Sequence, residues 1–162
     1  MQSLTEPQIR ASFVNCSKGE ARRLNLPRDL TTTPWGDLDY LGWRDPQAPE
    51  RGYVVAPLDD GLRGLVLRTT NRGGIRRAAA CSLCLTTHTG AVALMVAPRA
   101  GRAGQQGNTV GTYVCSDLAC SLYLRGLRSG EASAVVRETL PLEAKVARLM
   151  GNLATFVRQV TG

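Results

Sequence analysis

Histidine is almost absent from this chain, and lysine is nearly so. The 162 residues contain one histidine, His88, and two lysines, Lys18 and Lys145. A lone histidine is a poor foundation for a nucleophile triad. Aromatic residues make up only 5% of the chain, which leaves little from which to build a stacking platform for bases. No uninterrupted apolar run approaches the about 18 residues of a membrane span. The first 20 residues are polar and lack the apolar core of a secretory signal, so a reducing, cytoplasmic setting is expected. In that setting paired cysteines hold metal more often than they form disulfides.

What the chain does have suits one globular domain with a sizeable core: 43% hydrophobic and 20% charged residues. The formal charge is +7, and nearly all the cations are arginine. Arginine forks match carboxylates and phosphates, so an acidic protein or RNA is the expected class of partner. A genome-wide bias toward arginine would produce the same excess. Asp59-Asp60 is a carboxylate pair, but adjacent residues in a turn face water, and Arg72-Gly73-Gly74 has too little pattern for a phosphate loop.

Five cysteines are present, and four form two tight pairs: Cys81 and Cys84 in C-x2-C spacing, Cys115 and Cys120 in C-x4-C spacing. These are zinc-knuckle spacings, and four thiolates close a tetrahedral structural site with no position left for a substrate. One structural zinc is therefore expected. With four thiolates and one Zn2+, the formal charge falls to about +5. Cys16 stands alone and reads as core or incidental. His88 follows Cys84 by four residues, and because the cysteines already fill the tetrahedron, it is expected beside the site or at the surface.

The pattern along the chain predicts an α+β fold: an N-terminal helix, an antiparallel sheet, a four-cysteine treble-clef zinc finger and a C-terminal amphipathic helix. Residues 5–24 read as one helix, capped by Thr5 with Glu6 and Pro7 in the first turn. Residues 31–51 are turn-rich and hold Trp35, Tyr40 and Trp43, read as core anchors under a loop, with an exposed recognition patch as the other possibility. Strands follow over 53–56 and 62–69 with Asp60-Gly61 as a hairpin signal, and 71–74 is a turn. Residues 91–97 and 109–114 form a second strand pair around a Gly/Arg/Gln-rich segment, 98–108, expected to be a mobile loop. Ser116 or Asp117 is expected to cap a helix reaching Arg128, with Cys120 in its first turn. Residues 141–160 place Leu142, Val146, Leu149, Met150, Leu153, Phe156, Val157 and Val160 on one helical face. That face is expected to pack on its own domain. The whole chain, 1–162, is read as one domain with a zinc-finger subdomain over about 76–130.

Several segments together carry a resemblance. Phe13-Val14-Asn15-Cys16-Ser17-Lys18, Leu26-Pro27, Asp39-Tyr40-Leu41-Gly42-Trp43-Arg44-Asp45, the first cysteine pair with Thr86-Thr87-His88, and the run from Val110 through Cys115-Ser116-Asp117-Leu118-Ala119-Cys120 to Ser121 resemble the FusB/FBP family in order and spacing. These are elongation factor G-binding proteins with a C-terminal treble-clef zinc finger. The longer members carry a separate helical-bundle domain before the half that this chain resembles. The resemblance implies a non-enzymatic, translation-associated protein that binds elongation factor G through a zinc-braced surface and modulates its release from the ribosome, as in fusidic acid resistance. The contacts expected on that basis are Leu83, Thr87, Arg99, Arg102, Tyr113, Arg125 and Arg128. The alternative is a zinc finger that binds ribosomal RNA or the ribosome, which predicts binding that weakens strongly with salt.

Overall fold

The computed structural model describes residues 1–69, 77–129 and 138–162. The expected turn at 71–74 and the Arg72-Gly73-Gly74 segment lie outside the described residues. Five antiparallel strands form the central sheet in the order β1-β2-β3-β6-β7. They are β1 (Leu41–Arg44), β2 (Arg51–Leu58), β3 (Gly61–Thr69), β6 (Val92–Pro98) and β7 (Thr109–Cys115). Between β3 and β6 a small second sheet pairs β4 (Ala78–Ala80) with β5 (Thr87–Thr89). The β2–β3 hairpin turns on Asp59-Asp60, with Leu58 paired to Gly61 and Gly61 at φ +112°. Glycine takes that backbone without steric cost.

Residues 5–24 are not one helix. They fold as α1 (Glu6–Ser12) and α2 (Lys18–Arg23), each with its own capping box: Thr5 with Gln8, and Ser17 with Glu20. The break has a tertiary cause. Phe13 bridges in parallel to Gly64 on β3, and Val14 N–H donates to Gly64 O at 3.0 Å. A Cβ on Gly64 would meet Ser12 Oγ at 2.5 Å, so this close approach requires glycine. The Ser17-x-x-Glu20 signature of a second helix start is present in the sequence.

Each sheet face carries its own core. On one, Val54, Leu65, Leu67, Met95 and Val114 pack beneath α5 (Leu142–Thr161), which inserts Leu149, Leu153, Phe156, Val157 and Val160. The apolar stripe thus seals onto its own domain. Leu142, at the start of the helix, stays 44% exposed. On the other face Ile9 and Leu24 cover Trp43, Tyr53, Val55 and Val66. Phe13, Trp43 and Tyr53 form an aromatic cluster with centroids 5.0 to 6.5 Å apart. The core reading therefore holds for Tyr40 and Trp43, both buried, while Trp35 is partly buried and donates Nε1–H to Leu30 O.

Three further local expectations change. The turn-rich 31–51 stretch contains a 3-10 turn, Trp35–Asp37, and the edge strand β1. The supposed mobile loop holds a short helix, α3 (Gly101–Gln105), anchored where Ala100 N–H donates to Val160 O. The helix after the second cysteine pair, α4 (Cys120–Leu124), ends well before Arg128. Gly126 at φ +67° terminates it, with Leu127 N–H donating back to Leu122 O at 3.0 Å, the Schellman arrangement of a helix end.

Candidate metal centre and the surface around it

Each cysteine is placed by a different local device. Cys81 and Cys84 sit on the knuckle that joins β4 to β5, closed by Cys81 N–H donating to Thr86 O at 3.0 Å. Cys115 is the last residue of β7, and Cys120 the first of α4. Between them Leu118 takes a left-handed φ of +61°, with its N–H donating to Cys115 O. This loop presses on the main sheet: a Cβ on Gly42 would stand 2.5 Å from Leu118 O, and the Tyr40 hydroxyl donates to that same oxygen at 2.9 Å. Burial, then the neighbouring Cys120 sulfur, holds the Tyr40 phenol in its protonated form.

The four Sγ atoms all lie within 4.8 Å of one another and are fully enclosed. Cys81 Sγ is 3.7 Å from Cys120 Sγ, and Cys84 Sγ is 3.6 Å from Cys115 Sγ. A tetrahedron with Zn–S bonds of about 2.3 Å has edges of about 3.8 Å, so the donor set matches zinc in size as well as in chemistry. Disulfide sulfurs would be about 2.0 Å apart. The cluster is the site of one structural zinc.

A hydroxyl, a backbone N–H and an imidazole converge on the sulfurs. Thr86 Oγ1 lies 2.9 Å from Cys84 Sγ, and Cys84 N–H donates to Cys81 Sγ at 3.5 Å. His88 is 2% exposed, with Nε2 3.6 Å from Cys115 Sγ and its ring packed on Tyr123 at 4.3 Å. It lies beside the sulfurs and away from the surface. Tyr123 donates its hydroxyl to Asp117 at 2.8 Å, and Asp117 Oδ1 accepts from Ala119 N–H in the loop between the cysteines. The finger is also braced from α5, where Asn152 Nδ2 donates to Leu83 O at 2.9 Å.

The expected contact residues do not form one surface. Leu83 is 3% exposed, tucked under α5, and has no face to offer; its neighbour Leu85 is 48% exposed. Leu85 adopts φ +60°, held by its N–H to Cys81 O, so the knuckle presents a leucine outward on a backbone that costs roughly 1–2 kcal/mol. Arg125 is withdrawn into an ion pair with Asp39, and Arg128 pairs more loosely with Asp117. Arg99 and Arg102 stand at the far end of the β6–β7 hairpin. In its register Val92 meets Cys115 at one end and Pro98 meets Thr109 at the other, six residues or about 20 Å away. Thr87 lines a groove of about 320 Å³ beside the knuckle with Leu85, Leu124 and Lys145. Tyr113 is 46% exposed, on the sheet face away from α5. Leu85 was not singled out from the sequence, although its place just after the C-x2-C pair was a usable signal.

A family model described as FBP C-terminal treble-clef zinc-finger matches residues 8–160. No curated protein and no solved structure matches the chain significantly.

Proposed function

The chain belongs to the FBP C-terminal treble-clef zinc-finger family, and on that premise we propose that it is a non-enzymatic cytoplasmic protein that binds elongation factor G. The observation that carries this reading is the groove beside the knuckle. Leu85, Thr86, Thr87 and Leu124 line it, with Lys145 among the lining residues, and Cys84 forms part of its wall. Zinc holds that wall rigid, so the groove is preorganised, and a preformed surface loses little ordering entropy on binding. Leu85 is its apolar anchor. Lys145 in the groove, where Glu138 is already paired with Arg148, and Arg99 and Arg102 at the distal hairpin tip add positive charge that speeds encounter with an acidic factor. Such a binder modulates release of the factor from the ribosome only by preferring one of its states.

Co-purification of the zinc-loaded chain with elongation factor G at low salt tests the reading. Retention is expected, and Leu85→Asp is expected to abolish it while zinc content stays at one ion per chain. No retention of the factor by zinc-loaded wild type removes the proposal. Retention on ribosomes by a chain that fails to retain the factor would favour the ribosome-binding alternative.

A further inference from the structure

The strand register aligns a row of side chains that neither the zinc site nor the knuckle groove uses. Arg51 pairs with Arg68, Arg68 with Val96, and Val96 with Gly111, so all four share one face of the sheet. Tyr113 is two residues beyond Gly111 on that face, opposite Leu94. At neighbouring strand spacings of about 4.8 Å the row is about 14 Å long, with Tyr113 about 7 Å off its end. Helices α1 and α2 cover only the β1–β3 half of this face. Over β6 and β7 it is open: Leu94 and Val96 are half-buried, while Thr109, Gly111 and Tyr113 are exposed.

Arg51 and Arg68 are like charges directly opposite each other, an arrangement that destabilises a sheet unless an anion relieves it. Both line a cleft of about 500 Å³ with Arg23, the last residue of α2. None of the three is in an ion pair among the described residues. Three carboxylates share the cleft. Glu20 accepts from Ser17 N–H and its charge also acts on Arg68 and Arg23, and Glu50 acts on Arg44. Asp45 is saturated by Tyr53, Asn25 and the Gln47 and Ala48 amides.

We propose that this open half-sheet binds single-stranded RNA, with a base stacked on Tyr113 and the backbone phosphates forked by Arg51, Arg68 and Arg23. An exposed aromatic on a half-buried apolar floor, with arginines in no ion pair two and three strands away on the same face, is the chemistry that recognises a single strand. The choice of RNA over DNA rests on the proposed place of the chain at the translation apparatus. The site itself is separate from the knuckle groove.

The test is fluorescence anisotropy of the full zinc-loaded chain with end-labelled ten-nucleotide single-stranded RNA and DNA of one sequence, at several salt concentrations. Elongation factor G is absent from this assay, so failure to bind the factor does not bear on it. Wild type is expected to bind the RNA with a micromolar-range Kd at low salt and the DNA more weakly. Tyr113→Ala is expected to weaken RNA binding about 5- to 150-fold, the scale of one lost base stack, while Tyr113→Phe stays near wild type. Arg51→Gln and Arg68→Gln are each expected to reduce the log–log salt slope by about 0.7. No RNA binding at about 100 μM protein in low salt overturns the proposal, as does Tyr113→Ala binding like wild type, or arginine variants that leave the salt slope unchanged. Equal affinity for DNA overturns the assignment to RNA.

Discussion

Arg125 grips Asp39 with both nitrogens of its fork, Nη1 to Oδ2 at 2.7 Å and Nη2 to Oδ1 at 2.9 Å. The residues are 86 positions apart, and both are largely shielded from water. Asp39 N–H donates to Ser121 Oγ beside them, so the approach to β1 is tied to the helix that begins with the fourth cysteine. This pair joins the zinc finger to the main sheet. Arg125→Ala leaves a shielded carboxylate without its partner and is expected to cost about 2–3 kcal/mol. Arg125→Lys should recover only part of this, because an ammonium cannot make the two-point contact. Thermal melts of the three proteins at neutral pH check the order; an Arg125→Ala protein as stable as wild type would make the pair dispensable.

Removing the metal should undo more than the knuckle. Cys81, Cys84, Cys115 and Cys120 belong to the same core as Leu149, Leu153 and Phe156. Isolated zinc fingers draw on the order of 10 kcal/mol from the ion. Chelation, or Cys81→Ser or Cys115→Ser, is therefore expected to strip amide-exchange protection from β6, β7 and α5, not only from β4 and β5. Thiol labelling gives an independent count. Burial, then Glu20, pushes the Cys16 thiol up to about 11, so it reacts slowly at neutral pH. Zinc-loaded protein should show no fast-reacting cysteine, and chelated protein four. A native melting curve after full chelation would falsify the structural role of zinc.

The metal site was legible because four sulfurs in two short spacings state their own geometry, and α5 because its apolar residues repeat with the helical period. The β2–β3 hairpin was marked by Asp60-Gly61. What escaped depends on partners distant in sequence. The break between α1 and α2 is imposed by Gly64, some 50 residues away, and β1 is only four residues long, interrupted by a glycine that makes room for Leu118 O. The early end of α4 was written in Gly126, the one glycine between Cys120 and Arg128. The exposure of the candidate contacts was not legible, because residue type alone cannot tell a buried leucine at 83 from an exposed one at 85, or a free arginine from one pledged to Asp39.

His88 should matter to the metal without binding it. Its Nε2 faces Cys115 Sγ, and an N–H donated to a thiolate offsets part of the charge gathered on four sulfurs. His88→Ala removes that donor and the packing on Tyr123, and is expected to loosen zinc by about 10- to 100-fold. His88→Gln, which keeps an N–H donor, should recover part of the loss, and His88→Phe, which keeps only the ring, should recover less. Competition with a chromogenic chelator measures all three. Equal zinc retention by the alanine variant and wild type would assign His88 to packing alone.

Asp45 gives the fold an acid limit with a definite sign. Burial alone would raise its pKa, but hydrogen bonds from Tyr53, Asn25 and the Gln47 and Ala48 amides outweigh burial and hold it below the ordinary value of 3.8. Tyr53 moves the other way, up to about 12, through burial and then its bond to this carboxylate, so it remains the donor at 2.7 Å across the physiological range. A carboxyl whose folded pKa is depressed contributes stability that is complete above its unfolded pKa, near 4, and disappears as pH falls through the lower folded value. Asp45→Asn should therefore melt below wild type at pH 7, and the gap should narrow as pH falls below about 4 and the Asp45 carboxylate takes up its proton. Zinc loss in acid would obscure the comparison if it came first. The melts are accordingly paired with a metal readout, and the window is read only where both proteins remain fully loaded. A gap that stays constant or widens below about pH 4, in protein still fully loaded with zinc, would show that the Asp45 charge is not what its four donors stabilise.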